Sequence, residues 1–375
     1  MYQLIEDIGA LNRAIKEIRY DSTIGVDLEA DSMFHYREKV CLLQIASQHH
    51  TFIIDPLAVK DLSSLLPIFK DHKIRKIFHG ADYDIRSLFR DFGITVNGLF
   101  DTQIAARYLG IKAFGLADLL NDILGISIKK KFQKKDWSKR PLPQDMLAYA
   151  AEDVFYLIPL SKRLEAELRD RQRFLWVLEE CDVLSKARPA PNACNPLFMN
   201  FKGASRLDPR SLAVLEMILE LRNQIAKRRD LPPFKILSNE KISEIVDKKP
   251  CTEKELEAFE GLSPLQKKML GRSLLKKVNE TMNFPENTLP LYPRKEKIRV
   301  PPHVSKRVKL LKEWREKKSR KIKLHPALIM TNGQITSLAF ARPTLNRDLG
   351  KISEIRTWQR QVFGSEICGL LSGTD

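Results

Sequence analysis

Two acids close an alternating run of β-type residues, Ile24-Gly25-Val26-Asp27-Leu28-Glu29. On a strand, Asp27 and Glu29 point to one face and Val26 and Leu28 to the other. Paired carboxylates on a half-buried face repel and are costly to desolvate, and a bound cation relieves both costs. An exposed strand end with two solvated acids is the plainer reading of the pair. Tyr149 and Asp153 are four residues apart in a helical pattern and so share a helix face. They form either a second part of the same site or a helix-to-core hydrogen bond. In His79-Gly80-Ala81-Asp82-Tyr83-Asp84, an acid enters the first turn of a helix just past an apolar run. Ligands of α/β sheets bind at such strand ends. Acids are also common helix caps there.

These residues need a sheet and helices to hold them. Residues 23–28, 40–46 and 51–54 are rich in β-branched and aliphatic side chains, with intervals short enough for consecutive antiparallel strands. A helical stretch at 62–70 precedes the apolar run 74–78. Helical patterns follow at 82–92, 102–109 and 116–124, and a long one fills most of 143–178 with a break expected near Pro159. Asp101 opens one of these helices and reads as a cap or a supporting group. Strands followed by alternating helices and strands indicate an α/β domain on one mixed sheet.

A Pro/Asn-rich stretch at 188–196 marks a linker, and a Pro- and Lys/Arg-rich break lies at 287–302. Beyond 207 the patterns are helical, and they repeat at an offset of 93 residues. Arg222 falls on Arg315, Pro233 on Pro326, Pro250 on Pro343 and Leu256 on Leu349. Ile236-Leu237-Ser238-Asn239 falls on Ile329-Met330-Thr331-Asn332. The chain thus divides into an α/β domain (1–187), a linker (188–204), a helical domain (205–286), a second linker (287–302) and a second helical copy (303–375).

The net charge of +17 sits almost wholly in residues 201–375, which hold 36 Lys+Arg against 20 Asp+Glu. Such an excess suits a polyanion partner, although a solvated basic surface also accounts for it. Five scattered cysteines without a C-x-x-C pair argue against a disulfide framework or a zinc site. With no leader-like or membrane-spanning apolar segment, a cytoplasmic protein is expected.

Strand D-x-E, then strand-H-x4-D, then helical Y-x3-D is the DEDDy order, and the chain resembles the ribonuclease D family of 3′→5′ exonucleases over residues 1–180. Val40-Cys41-Leu42-Leu43-Gln44-Ile45, Asp101-Thr102-Gln103-Ile104-Ala105-Ala106 and Asp136-Trp137-Ser138-Lys139-Arg140-Pro141-Leu142 extend the resemblance. The helical repeats resemble HRDC domains. The resemblance implies a ribonuclease H-like α/β domain, a mixed sheet flanked by helices, followed by two small all-α bundles. It implies Asp27, Glu29, Asp84 and Asp153 as ligands of two Mg²⁺ or Mn²⁺ ions, with Tyr149 beside them. The expected partner is RNA with a free 3′ end, tRNA precursors in particular, with no membrane and no obligate protein partner.

In the expected mechanism Asp27 lies between the ions, Glu29 and Asp153 complete the one that activates water, and Asp84 holds the other through water. Tyr149 orients the attacking water, because a phenol of pKa about 10 is a poor base at neutral pH. Met33 and Phe34 are candidates to wedge or stack against terminal bases, or else core residues. His79 lines the substrate path or is structural. Lys134, Lys135, Trp137 and Arg140, in a run of cations and aromatics starting at Lys129 and Lys130, are candidate single-strand contacts, or a solvated loop. The basic helical copies are expected to hold RNA, so that removing 201–375 weakens binding more than chemistry. Two other readings compete: a DNA exonuclease of the Werner or proofreading type, and a catalytically silent RNA-binding scaffold.

Overall fold

The computed structural model describes residues 2–128, 131–190, 196–293 and 300–373. Lys129 and Lys130, and parts of both predicted linkers, lie outside them. Six strands form one mixed sheet: β1 (Gln3–Ile5), β2 (Thr23–Ala30), β3 (Val40–Ala46), β4 (Thr51–Ile54), β5 (Arg75–Phe78) and β6 (Leu99–Asp101), in the order β1-β4-β3-β2-β5-β6. β2, β3 and β4 pair antiparallel as the short connections require, and β5 joins β2 in parallel. β1 and β6 have three residues each, too few for alternation to reveal.

Asp27 pairs with Gln44 and Glu29 with Leu42, and a register shift after Glu29 ends the regular ladder. The opposite face, with Ile24, Val26, Leu43, Ile45 and Phe52, enters the main core. The acid-bearing face is covered by the Gln144–Phe155 helix, which contacts β2, β3 and β4. Gly25 permits this close cover, since a Cβ there would meet the Val154 carbonyl oxygen at 2.9 Å. The long helical pattern is three helices, Gln144–Phe155, Leu157–Asp170 and Phe174–Ser185. The first break falls at Tyr156 rather than at Pro159. Pro159 is in the first turn of its helix, where its missing N–H breaks no bond.

The repeat holds to the residue. Pro209–Arg229, Pro233–Ile236 and Asn239–Lys248 recur as Pro302–Ile322, Pro326–Ile329 and Asn332–Ala341. Arg222 donates to Leu237 O and Asn239 Oδ1, and Arg315 donates to the equivalent Met330 O and Asn332 Oδ1. The two copies nevertheless belong to different compact units. One unit holds described residues 2–30, 40–189 and 300–373, and the other holds 31–39, 190 and 196–293.

In the first unit the second copy shares the catalytic domain's core. Trp176 stacks on Trp358 with ring centroids 4.5 Å apart, and Tyr108 packs edge-on against both. Glu179 accepts from the backbone N–H groups of Thr357 and Trp358, at 2.6 and 3.0 Å. Glu180 pairs with Arg356. Deleting 201–375 would therefore strip a shared core as well as a basic surface, and it is no clean test of RNA binding.

In the second unit the first helical copy carries its own core. His35 and the Tyr36 N–H both bond Asp230, at 2.7 and 3.1 Å, and Lys235 sits 4.5 Å above the Phe34 ring. No helix among the described residues is long and apolar enough to cross a membrane.

Candidate active site

β2 supplies Asp27 and Glu29, and the helix over them supplies Asp153 and Tyr149. Carboxylate oxygens of Asp27, Glu29 and Asp153 all lie within 4.8 Å of one another. Asp84 stands outside that trio but close enough for its charge to act on Asp27 and Glu29. It is buried in the first turn of Asp82–Phe92 and does not cap that helix. The capping role belongs to Asp101, whose carboxylate accepts from the Gly80 and Ala81 N–H groups and from Gln103 and Ile104 in its own helix. One buried acid thus fixes two helix starts, including the one that presents Asp84.

The electrostatics are those of crowded acids without a counter-cation. Burial, then repulsion from Asp153 and Asp84, pushes Glu29 up to about 9. Burial, then Asp101 and Asp82, pushes Asp84 up to about 8. Burial raises Asp153 to about 7, against a hydrogen bond from Tyr149. Asp27 is raised well above its usual range, by burial first and by the charges of Asp84, Asp153 and Glu29 after it. No Lys, Arg or His is among the largest influences on any of the four acids. Oxygen-only donors converging within one ion's reach, and short of positive charge, fit a hard divalent cation.

A cavity of about 310 Å³ opens on the cluster, lined by Asp27, His79, Gly115, Gln133, Tyr149 and Asp153 among others. His79 Nδ1 is 3.0 Å from Thr102 Oγ1, whose hydroxyl hydrogen goes to the Phe78 carbonyl. His79 therefore donates through Nδ1 and keeps an acceptor at Nε2. Burial holds it below the ordinary histidine value, against the pull of Asp101. Tyr149 is buried, edge-on to Phe132 at 5.6 Å and tilted against Trp137 at 6.3 Å. Burial first, then the neighbouring carboxylates, raises its phenol above the usual value, so it stays protonated at neutral pH.

A family profile described as 3′-5′ exonuclease matches residues 2–169, and one described as HRDC domain matches 211–278 and 305–371. Proteins named Ribonuclease D align along the chain. The one from Haemophilus influenzae is 29% identical over 83% of this chain and 78% of its own length. The one from Bartonella henselae is 27% identical over 100% of this chain and 91% of its own. Among solved structures, Escherichia coli RNase D covers 99% of both chains with a TM-score of 0.73 and 26% identity. The chain carries a 3′-5′ exonuclease domain followed by two HRDC domains, and it resembles proteins named Ribonuclease D along its length.

The structure gathers Asp27, Asp153, Tyr149 and His79 at one cavity, with Glu29 in the same carboxylate cluster and Asp84 close enough for its charge to act on it. The other candidates fall elsewhere. Trp137 is 1% exposed. It packs behind Tyr149 with Phe132, so the aromatics of the basic run face inward and offer no stacking surface; this corrects their reading as strand contacts. Arg140 is occupied as a brace, donating to both Asp55 oxygens and to the Cys41 and Trp137 carbonyls. Lys134 and Lys135 are exposed. Met33, which is exposed, and Phe34, beneath Lys235, belong to the other compact unit. Gln133 and Gly115 had no sequence signal to mark them as cavity lining.

Proposed function

We propose that the chain is a metal-dependent 3′→5′ exoribonuclease, releasing nucleoside 5′-monophosphates one at a time from RNA 3′ ends, tRNA precursors among them. The observation that carries this reading is the trio of carboxylate oxygens within 4.8 Å beside Tyr149. The relatives' name supports RNA over DNA, and the Escherichia coli protein is described as an exoribonuclease involved in structured RNA processing.

Asp27, Glu29, Asp84 and Asp153 would hold two Mg²⁺ or Mn²⁺ ions. Two such ions, when bound, activate water and neutralise charge on the leaving oxygen. Tyr149, protonated, donates to Asp153 and leaves its oxygen lone pairs to orient the attacking water. His79 offers Nε2 to a sugar hydroxyl of the terminal nucleotide. Lys134, Lys135 and the exposed Lys227, Arg228 and Arg229 supply charge for the backbone. Five scattered cysteines without a C-x-x-C pair suit a reducing cytoplasm.

Digestion of matched 3′-labelled RNA and DNA with Mg²⁺ tests this reading. Immediate release of labelled mononucleotide from RNA is expected, with DNA slower. Faster release from DNA would favour the Werner-type alternative, and no release from either would favour a binding scaffold.

A further inference from the structure

Val40–Ala46 is apolar except for Gln44, which is fully buried. Both Gln44 Nε2 and Oε1 lack a hydrogen-bond partner, as does the Nε1 of buried Trp137. A buried amide with neither end satisfied is costly, and a leucine or methionine would fill the same space without that cost. Gln44 lies directly opposite Asp27 in the β2–β3 register and opposite Ile53 on β4. Side chains directly opposite in an antiparallel pair share a face at about 4.5–5.5 Å between Cβ atoms. Leu42 and Ile53, the neighbours of Gln44 on this face, cluster with Trp137, Tyr149 and Ala150. Asp27 itself is surrounded by three other acids, against which the donor that acts on it is the Leu28 N–H. A donor without an acceptor thus stands beside an acceptor short of donors.

We propose that Gln44 is a positioning residue for Asp27: its NH₂ donates to the Asp27 carboxylate when that carboxylate holds a metal ion, and its carbonyl oxygen takes the Trp137 indole N–H. All three orphaned atoms are then satisfied by one arrangement. The bond is charge-assisted, and it fixes which Asp27 oxygen faces the ions. The inference rests on the metal-dependent reading above, and it makes Gln44 part of the support behind the ligand shell.

The test compares full-length wild type with Gln44→Met by calorimetric titration with Mn²⁺, thermal unfolding without metal, and steady-state cleavage of 3′-labelled RNA. Gln44→Met is expected to keep or raise Tm, since it removes an unsatisfied buried amide. Mn²⁺ affinity and kcat are expected to fall about 10- to 100-fold, with KM unchanged. A raised Tm together with wild-type Mn²⁺ affinity and kcat would overturn the proposal, leaving Gln44 a space-filler. Should Gln44→Met fail to fold, Gln44→Glu, which has the same shape without the NH₂, takes its place. Wild-type Mn²⁺ affinity in Gln44→Glu would overturn the proposal in the same way. Absence of Mn²⁺ binding by the wild type would bring down the metal reading itself, and Gln44's role with it.

Discussion

At the scale of single residues, the acids are readable because their spacing is tied to local geometry. A period of two puts Asp27 and Glu29 on one face, and a spacing of four puts Tyr149 and Asp153 on one helix side. Trp137 misleads for the converse reason. Its cationic neighbours give it the look of a surface residue, whereas only the tertiary fold turns its ring in behind Tyr149. The same crowding yields a pH signature. Carboxylates of the unfolded chain titrate near 4, whereas Asp153, Asp84 and Glu29 titrate at about 7, 8 and 9 in the fold. Between those values the folded chain binds more protons than the unfolded one. Its stability is therefore greatest at low pH on this account and declines as pH rises towards 9. In EDTA, Tm should fall between pH 5 and 8.5, and the gain in Tm on adding Mg²⁺ should grow with pH. A metal-induced gain that does not vary with pH would argue against four charge-starved ligands.

At the scale of elements, the three central strands and the helix bearing Asp84 are visible in their side-chain patterns. The sequence conceals how those elements are anchored. Asp101 reads as an ordinary cap of its own helix, and its hold on Gly80 and Ala81 is a long-range contact that periodicity does not encode. Asp101→Ala leaves four N–H groups short of their acceptor. It should cost about 2–3 kcal/mol in urea unfolding and lower turnover through the loosened start of the Asp84 helix. Full turnover in a stable Asp101→Ala protein would show that Asp84 is held independently. The break expected near Pro159 falls at Tyr156, because a helix tolerates proline in its first turn.

At the scale of the whole molecule, the duplication is evident from sequence because equivalent residues make equivalent bonds, as Arg222 and Arg315 do. The different fates of the two copies are not evident. Position 358 carries tryptophan where its equivalent, 265, carries leucine, and Trp358 is 2% exposed while Leu265 is 72% exposed. That contrast is meaningful only once Trp176 is seen stacked on Trp358. Trp358→Ala should destabilise the catalytic unit by about 3–5 kcal/mol, read by denaturant unfolding. A loss confined to a separate C-terminal transition would contradict a shared core. The central claim is that one acidic cluster both binds metal and cleaves. It is tested most directly by measuring Mn²⁺ binding and single-turnover release of a 3′-terminal nucleotide in wild type, Asp27→Ala and Tyr149→Phe. Asp27→Ala should lose metal and at least about a hundredfold in rate, while Tyr149→Phe keeps the metal and loses rate. Near-normal cleavage by Asp27→Ala would contradict the account.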